Sequence, residues 1–457
     1  MAVRHSGRGT LMVGISGVRG IVGESLTPEF LSRLGQAYGT YVRAGRVVVG
    51  RDARVSGEMV KHAVFGGLLS AGCSIVDIGV CATPTATLMI EELRADGGIV
   101  ISASHNPAEW NGLKFFRRDG IYLNAEQGRE LLDIYYQGDY LRTKWDGFKA
   151  VETNSDAERV HVERVLANID AEAVRAAKLR VALDCCNGAG VGVTDKLLAA
   201  LGCRVERIHC TPDGLFPHDP EPTFENLADL VDCVRRSGVD VGFAQDPDAD
   251  RLAVVSEDGS FLSEEYTLAL VVDYVLPTRP GPVVTNMSTS MMIDRIAERH
   301  RCRVIRVPVG EVNVAEAMKE HGSPIGGEGN GGVIDSRVHY GRDSLVGIAL
   351  VLEAMAKTGR KVSELVAALP RYHMLKTRIE CPRAYAREIL KRLQAEHEGA
   401  DTTDGLKIQW PDAWVHLRPS NTEPILRIIA EAATPERTRE LVETFKAKIR
   451  KLAAALE

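Results

Sequence analysis

The stretch Leu179-Arg180-Val181-Ala182-Leu183-Asp184, turning at Asn187-Gly188-Ala189-Gly190 and running on with helical periodicity to Leu201, decides the fold class. A β-branched run, a glycine turn and a helical pattern, in that order, are the unit from which α/β layers are built. The same unit recurs on both sides. Toward the N-terminus, Arg46-Val47-Val48-Val49-Gly50 reads as a strand, 57–71 as a helix, and 74–78 and 98–101 as further strands. Toward the C-terminus, 239–244 and 252–255 read as strands around a turn, and 282–285 and 303–307 alternate with helices. After about Pro370 the pattern changes: helical segments at 384–396 and 435–456 flank short strands at 406–408 and 414–417, an α+β arrangement. Expected boundaries fall near 150, 255 and 370, dividing the chain into 1–150, 151–255, 256–369 and 370–457.

The 457 residues exceed what one core serves, and length alone suggests roughly three domains. A hydrophobic content of 45% lets each bury a sizeable core. The net charge of −6, mixed along the chain, argues against a dedicated nucleic-acid binder. No apolar run approaches the ~18 residues that span a membrane, and 11–18 is too broken by glycine and serine to be a secretory core. Nine cysteines, odd in number and mostly in apolar stretches, read as reduced thiols. A cytoplasmic protein, monomer or homodimer, is expected, with no nucleic-acid or membrane partner.

Four polar stretches carry the chemistry. The first is Ile101-Ser102-Ala103-Ser104-His105-Asn106-Pro107, continuing to Asn111-Gly112-Leu113-Lys114-Phe115. It follows a strand, so Ser104 is expected in a loop at a strand end, bent by Pro107 and Gly112. A serine hydroxyl needs an activating base or electrophile, and His105 and Lys114 are near in sequence. An ordinary polar loop is the competing reading. There is no Gly-x-Ser-x-Gly elbow to indicate a hydrolase triad.

The second is Asp246-Pro247-Asp248-Ala249-Asp250-Arg251, between two strands. Three alternating carboxylates repel unless a cation sits among them, and hard oxygen ligands without His or Cys favour Mg²⁺. A solvated acidic turn is the alternative. The third, Gly326-Gly327-Glu328-Gly329-Asn330-Gly331-Gly332, fits a dinucleotide fingerprint literally but lacks the helix that should follow. It reads instead as a flexible loop offering Glu328 and Asn330 to a polyhydroxylated ligand. The fourth, Arg418-Pro419-Ser420-Asn421-Thr422-Glu423-Pro424 with Arg427 beyond it, suits a phosphate cradle, or merely a polar turn.

Taken in this order over nearly the whole chain, the four stretches resemble the α-D-phosphohexomutase superfamily. The resemblance implies three α/β domains with mixed sheets plus a C-terminal α+β domain around a central cleft, one more than length suggests. It implies that Ser104 is the phosphoryl carrier and that Ser104, Asp246, Asp248 and Asp250 hold Mg²⁺. Glu328 and Asn330 would bind the sugar, and Arg418, Ser420, Asn421, Thr422 and Arg427 the distal phosphate. Lys114 and Arg251 fall on matching active-site positions. Gly14-Ile15-Ser16-Gly17-Val18-Arg19-Gly20 resembles the N-terminal loop whose arginine, here Arg19, approaches the phosphoserine.

The implied reaction interconverts hexose or hexosamine 6- and 1-phosphates, with a sugar 1,6-bisphosphate as intermediate and activator. Glucosamine phosphate is the first expectation, with glucose or mannose phosphate next. A sugar phosphatase and a non-catalytic sugar-phosphate sensor are rivals. One departure matters: many family sugar loops end in histidine where this chain has Gly332. His105, Lys114 or His339 is then left to move the proton.

Overall fold

The computed structural model describes residues 10–14, 17–420 and 424–456. Its strands form four sheets, the first of seven strands. Their spatial order is Met12–Gly14, Gly17–Ile21, Trp110–Arg117, Gly97–Ile101, Arg46–Arg51, Ser74–Val80 and Val151–Thr153. The second runs Phe261–Leu262, Leu252–Ser256, Val241–Gln245, Arg180–Asp184, Arg204–Ile208, and the third Val304–Val307, Val283–Asn286, Ile325–Glu328, Gly332–Asp335. All three are mixed: parallel crossovers in the middle, antiparallel hairpins at one side. Their central strands are buried on both faces, which is why 241–245 and 252–256 read as nearly unbroken apolar runs. The fourth sheet is wholly antiparallel: His373–Glu380, Ile425–Ala432, Ala413–Pro419, Leu406–Trp410.

Several elements differ from the sequence reading. Gly112 does not bend a loop; it lies within the strand Trp110–Arg117, antiparallel to Gly97–Ile101. A side chain there would meet the Val18 carbonyl at 2.5 Å, so the glycine permits close strand approach rather than a turn. Val151–Thr153 pairs with Ser74–Val80, and Phe261–Leu262 returns through a tight turn to pair with Leu252–Ser256. Sheet membership therefore runs slightly past the boundaries placed at 150 and 255. In the C-terminal part, His373–Glu380 and Ile425–Ala432 join the two expected strands. The first of these has no buried residue, being exposed at His373, Leu375, Lys376, Arg378 and Glu380 and half-buried between them, so no apolar run marks it.

One continuous apolar cluster runs from Val48 and Leu88 through Val181 and Phe243 to Ile293 and Leu345, fusing the first three units. The C-terminal unit has a core of its own, around Leu417, Ile428 and Phe445. Polar contacts dominate its attachment to the third unit. Glu431 accepts from the Met291 N–H at 2.8 Å, and Lys407 Nζ donates to the Met287 carbonyl at 2.7 Å.

Candidate active site

Ser104 sits just past the C-terminal end of the strand Gly97–Ile101, buried, with a φ of +52°. A non-glycine residue in the left-handed region is held there by its surroundings. Here the Ser104 N–H donates to Ser102 Oγ at 2.8 Å, and Arg54 Nη2 donates to the Ser104 carbonyl at 2.7 Å. Arg54, fully buried, also donates to the carbonyls of Asn106 (2.6 Å), Pro107 (2.5 Å) and Trp110 (2.9 Å), and pairs with Asp52. One guanidinium fork thus fixes the whole serine loop.

The Asp246–Asp250 turn joins the antiparallel strands Val241–Gln245 and Leu252–Ser256, and its neighbours clamp it. The Thr83 N–H donates to the Asp248 carbonyl, Ala189 N–H to the Pro247 carbonyl, and Ser344 Oγ to the Ala249 carbonyl. The three carboxylates, all buried, offer oxygens within 4.8 Å of one another. Asp248 and Asp250 each have one oxygen committed to protein, and Asp246 has both. Asp246 Oδ1 accepts from the N–H groups of Asp250 and Arg251, Asp248 Oδ2 from Thr83 Oγ1 and Lys114 Nζ, and Asp250 Oδ2 from Arg342 Nη2 at 2.7 Å. Asp248 Oδ1 and Asp250 Oδ1 are buried without a hydrogen-bond partner. Burial, with Asp250 and Asp248 beside it, pushes the Asp246 carboxyl well above its ordinary value. Orphaned, mutually repelling oxygens of this kind fit a hard divalent cation.

Ser104 Oγ donates to Asp246 Oδ2 at 3.1 Å and lies 3.2 Å from His105 Nδ1. Ser104 and the acidic turn, 142 residues apart, are therefore in direct contact. Burial, with Arg251 and Arg19 nearby, holds His105 well below the usual histidine range, so its ring is neutral. Lys114 projects from the strand Trp110–Arg117 onto Asp248 at 2.5 Å and Asp250 at 3.5 Å. Burial opposes its charge, but these carboxylates outweigh that and keep the ammonium protonated. Arg19 Nη1 donates to Asn106 Oδ1 at 3.0 Å, and Arg251 Nη1 to Glu221 Oε1 at 3.1 Å.

The glycine stretch is a tight hairpin between Ile325–Glu328 and Gly332–Asp335, not a flexible loop. Glu328 is buried and takes hydrogen bonds from Asn286 Nδ2 (2.8 Å), Arg342 Nη1 (3.0 Å) and Asn330 Nδ2 (3.3 Å). His339 lies apart from the cleft. Its Nε2 is 3.1 Å from Asp343, whose carboxylate also meets His161 at 2.8 Å, in a buried polar knot between the first three units. It is therefore not placed to serve the reacting hydroxyl.

At the far end, Arg418 and Arg427 stand opposite each other in register, and Arg427 is likewise opposite Arg378. Like charges facing across a sheet are destabilising unless an anion joins them. Arg418 Nε donates to Asp404 at 2.9 Å. Asn421 and Thr422 lie outside the described residues. A single cleft is lined at one end by Arg19, His105 and Arg251, in the middle by Glu328, Asn330 and Arg342, and at the other end by Arg418, Ser420 and Arg427. Arg54, Thr83, Arg342, Lys376 and Arg378 were not legible as site residues. Only the charged alternation of Lys376 and Arg378 along 373–380 hinted at a shared face.

Comparison with known proteins covers nearly the whole chain. All four domains described for the phosphoglucomutase/phosphomannomutase family match: α/β/α domain I at residues 10–142, domain II at 159–259, domain III at 263–372 and the C-terminal domain at 375–448. A protein of Methanopyrus kandleri described as a probable phosphoglucosamine mutase is 42% identical over 438 residues, covering 94% of this chain and 96% of its own. A phosphoglucomutase/phosphomannomutase of Thermococcus kodakarensis is 41% identical, covering 94% and 97%. The crystal structure of a phosphoglucomutase/phosphomannomutase family protein from Burkholderia thailandensis superimposes with a TM-score of 0.85 at 27% identity, over 96% of this chain and 98% of that one. The chain belongs to the phosphoglucomutase/phosphomannomutase family, within the α-D-phosphohexomutases.

Proposed function

We propose that this chain is a phosphoglucosamine mutase, interconverting the 6- and 1-phosphates of glucosamine through a phosphoserine at Ser104 and a sugar 1,6-bisphosphate. The observation that carries the reading is one cleft lined at one end by His105, which lies against the buried serine and its acidic triad, and at the other by paired arginines. A hydrolase needs only the first end. Holding both ends of a sugar phosphate makes sense when either can face the serine.

Ser104, Asp246, Asp248 and Asp250 would hold Mg²⁺, which when bound neutralises charge on the phosphoryl oxygens. Lys114, Arg19 and Arg251 add fixed positive charge where the transferring group spreads its own. The P–O bond to Ser104 Oγ breaks as one forms to the sugar hydroxyl. That hydroxyl's proton passes to neutral His105, because Lys114 is held protonated by its carboxylates, and His105 gives a proton to the leaving Ser104 Oγ beside it. Glu328 and Asn330 grip the ring hydroxyls, and Arg418, Ser420, Arg427, Asn421 and Thr422 the phosphate that does not react. The bisphosphate turns over in the cleft and returns its other phosphoryl group to Ser104. Nine free cysteines suit a reducing cytoplasm.

The named relatives favour glucosamine as the sugar, and the Thermococcus relative keeps glucose and mannose phosphates as a second reading. Incubation with Mg²⁺, a trace of sugar 1,6-bisphosphate and each 6-phosphate in turn tests both. Glucosamine 1-phosphate should form with the highest kcat/KM. Free phosphate as main product would contradict the mutase, and preference for mannose or glucose would move the sugar assignment.

A further inference from the structure

Gly332, the last residue of the sugar hairpin, has a φ outside the left-handed region, so its backbone would accept a side chain. Space forbids one. A Cβ at 332 would stand 2.2 Å from Arg342 Cδ and 2.8 Å from Arg342 Cγ. The volume in front of the hairpin is already filled from another part of the chain.

The guanidinium that fills it is committed on every nitrogen. Nη1 donates to Glu328 Oε2 at 3.0 Å, Nη2 to Asp250 Oδ2 at 2.7 Å, and Nε to Glu311 Oε2 at 2.9 Å. Glu311 also takes the Arg342 N–H at 3.0 Å, so the backbone is tied as well as the side chain. The three carboxylates come from the sugar hairpin, the acidic turn and the start of the helix Glu311–His321. The arginine is about one-tenth exposed, and it lines the cleft.

We propose that Arg342 is a positioning residue that locks the sugar-recognition carboxylate Glu328 to the acidic turn, in the space that Gly332 leaves open. The inference rests on the sugar-phosphate reading of the cleft. A planar fork can serve three acceptors in fixed directions, whereas a lysine ammonium at this site would hold fewer of them in place. Glu328 then meets the sugar in one fixed orientation and at one fixed distance from Ser104. Without Arg342, Glu328 and Glu311 would repel each other, and the hairpin would lose its register with the turn.

The test is sugar binding to dephosphorylated protein by calorimetry, using glucosamine 6-phosphate, beside steady-state kinetics. Arg342→Ala should weaken binding about tenfold or more, with Arg342→Lys between it and the unaltered protein, and KM should move more than kcat. Gly332→Ala, which leaves every charge in place but crowds Arg342 out, should give the same loss. The double variant should be no worse than Arg342→Ala alone, because neighbours acting through one contact do not add. Unchanged binding by Gly332→Ala, or additive losses in the double variant, would overturn the proposal. If Arg342→Ala does not fold, Gly332→Ala and Arg342→Lys still decide it. Failure of the unaltered protein to bind any hexose phosphate would overturn the functional reading and this proposal with it.

Discussion

The two ends of the cleft are built differently. At the serine end Ser104, Lys114 and the three aspartates are buried, and the acidic turn is clamped by residues of three units that share one apolar core. At the arginine end Arg418 is half-buried and Arg427 exposed, on a sheet with a separate core joined to the rest mainly through polar contacts. Bond-making chemistry needs groups held still before the reaction, whereas an end that releases and recaptures a turning intermediate must give way. On the proposed reaction, the chain divides these tasks by where it puts its hydrophobic cores.

This contrast can be broken from either side. Removing the proposed carrier should have the largest effect: Ser104→Ala should lose turnover about a thousandfold or more while melting like the unaltered protein, as read by coupled assay and calorimetry. Arg54→Met attacks the support of the serine end. It leaves Asp52 buried without its partner and frees four loop carbonyls, so denaturant unfolding should show a loss of about 3–5 kcal/mol. A near-normal unfolding midpoint would mean that the loop holds itself.

At the other end, Arg418→Gln should raise KM about ten- to a hundredfold with little change in kcat, since the proposal gives it the phosphate that does not react. A fall confined to kcat would place Arg418 with the chemistry instead. The smallest effect concerns the seam between the units, where Glu265 takes the Ser290 N–H at 2.9 Å and Lys376 at 3.1 Å. Burial pushes its carboxyl from 4.5 up to about 7. The folded state thus binds this proton more tightly than the unfolded chain. Its contribution is complete below about pH 4.5 and is lost as pH rises through about 7, by at most about 3 kcal/mol. Glu265→Gln should flatten the fall in melting temperature between pH 5 and 8; an unaltered slope would exonerate Glu265.

How far these features were legible depends on their range in sequence. Ser104 and the Asp246–Asp250 turn announced themselves because strand ends and repelling carboxylates are local facts. Lys114 stands near Ser104 in sequence, but on a strand rather than in a bent loop, because Gly112 looks like a bend until the Val18 strand beside it is known. Arg54 and Arg342 left no local signal. Each matters through partners 50 or more residues away or on three separate elements. The strand His373–Glu380 stayed hidden because an exposed strand with alternating charges resembles a polar linker. His339 drew notice as a titratable residue, and only the fold shows it spent on Asp343.

The measurement closest to the central claim is the fate of one phosphoryl group. Dephosphorylated protein is exposed to glucosamine 1,6-bisphosphate with Mg²⁺, and the peptide carrying Ser104 is weighed before and after adding unlabelled glucosamine 6-phosphate. The account predicts that this peptide gains one phosphoryl group, that Ser104→Ala protein gains none, and that the sugar phosphate then removes it with no free phosphate released. A phosphoryl group found elsewhere, or on Ser104 but lost only to water, would contradict it.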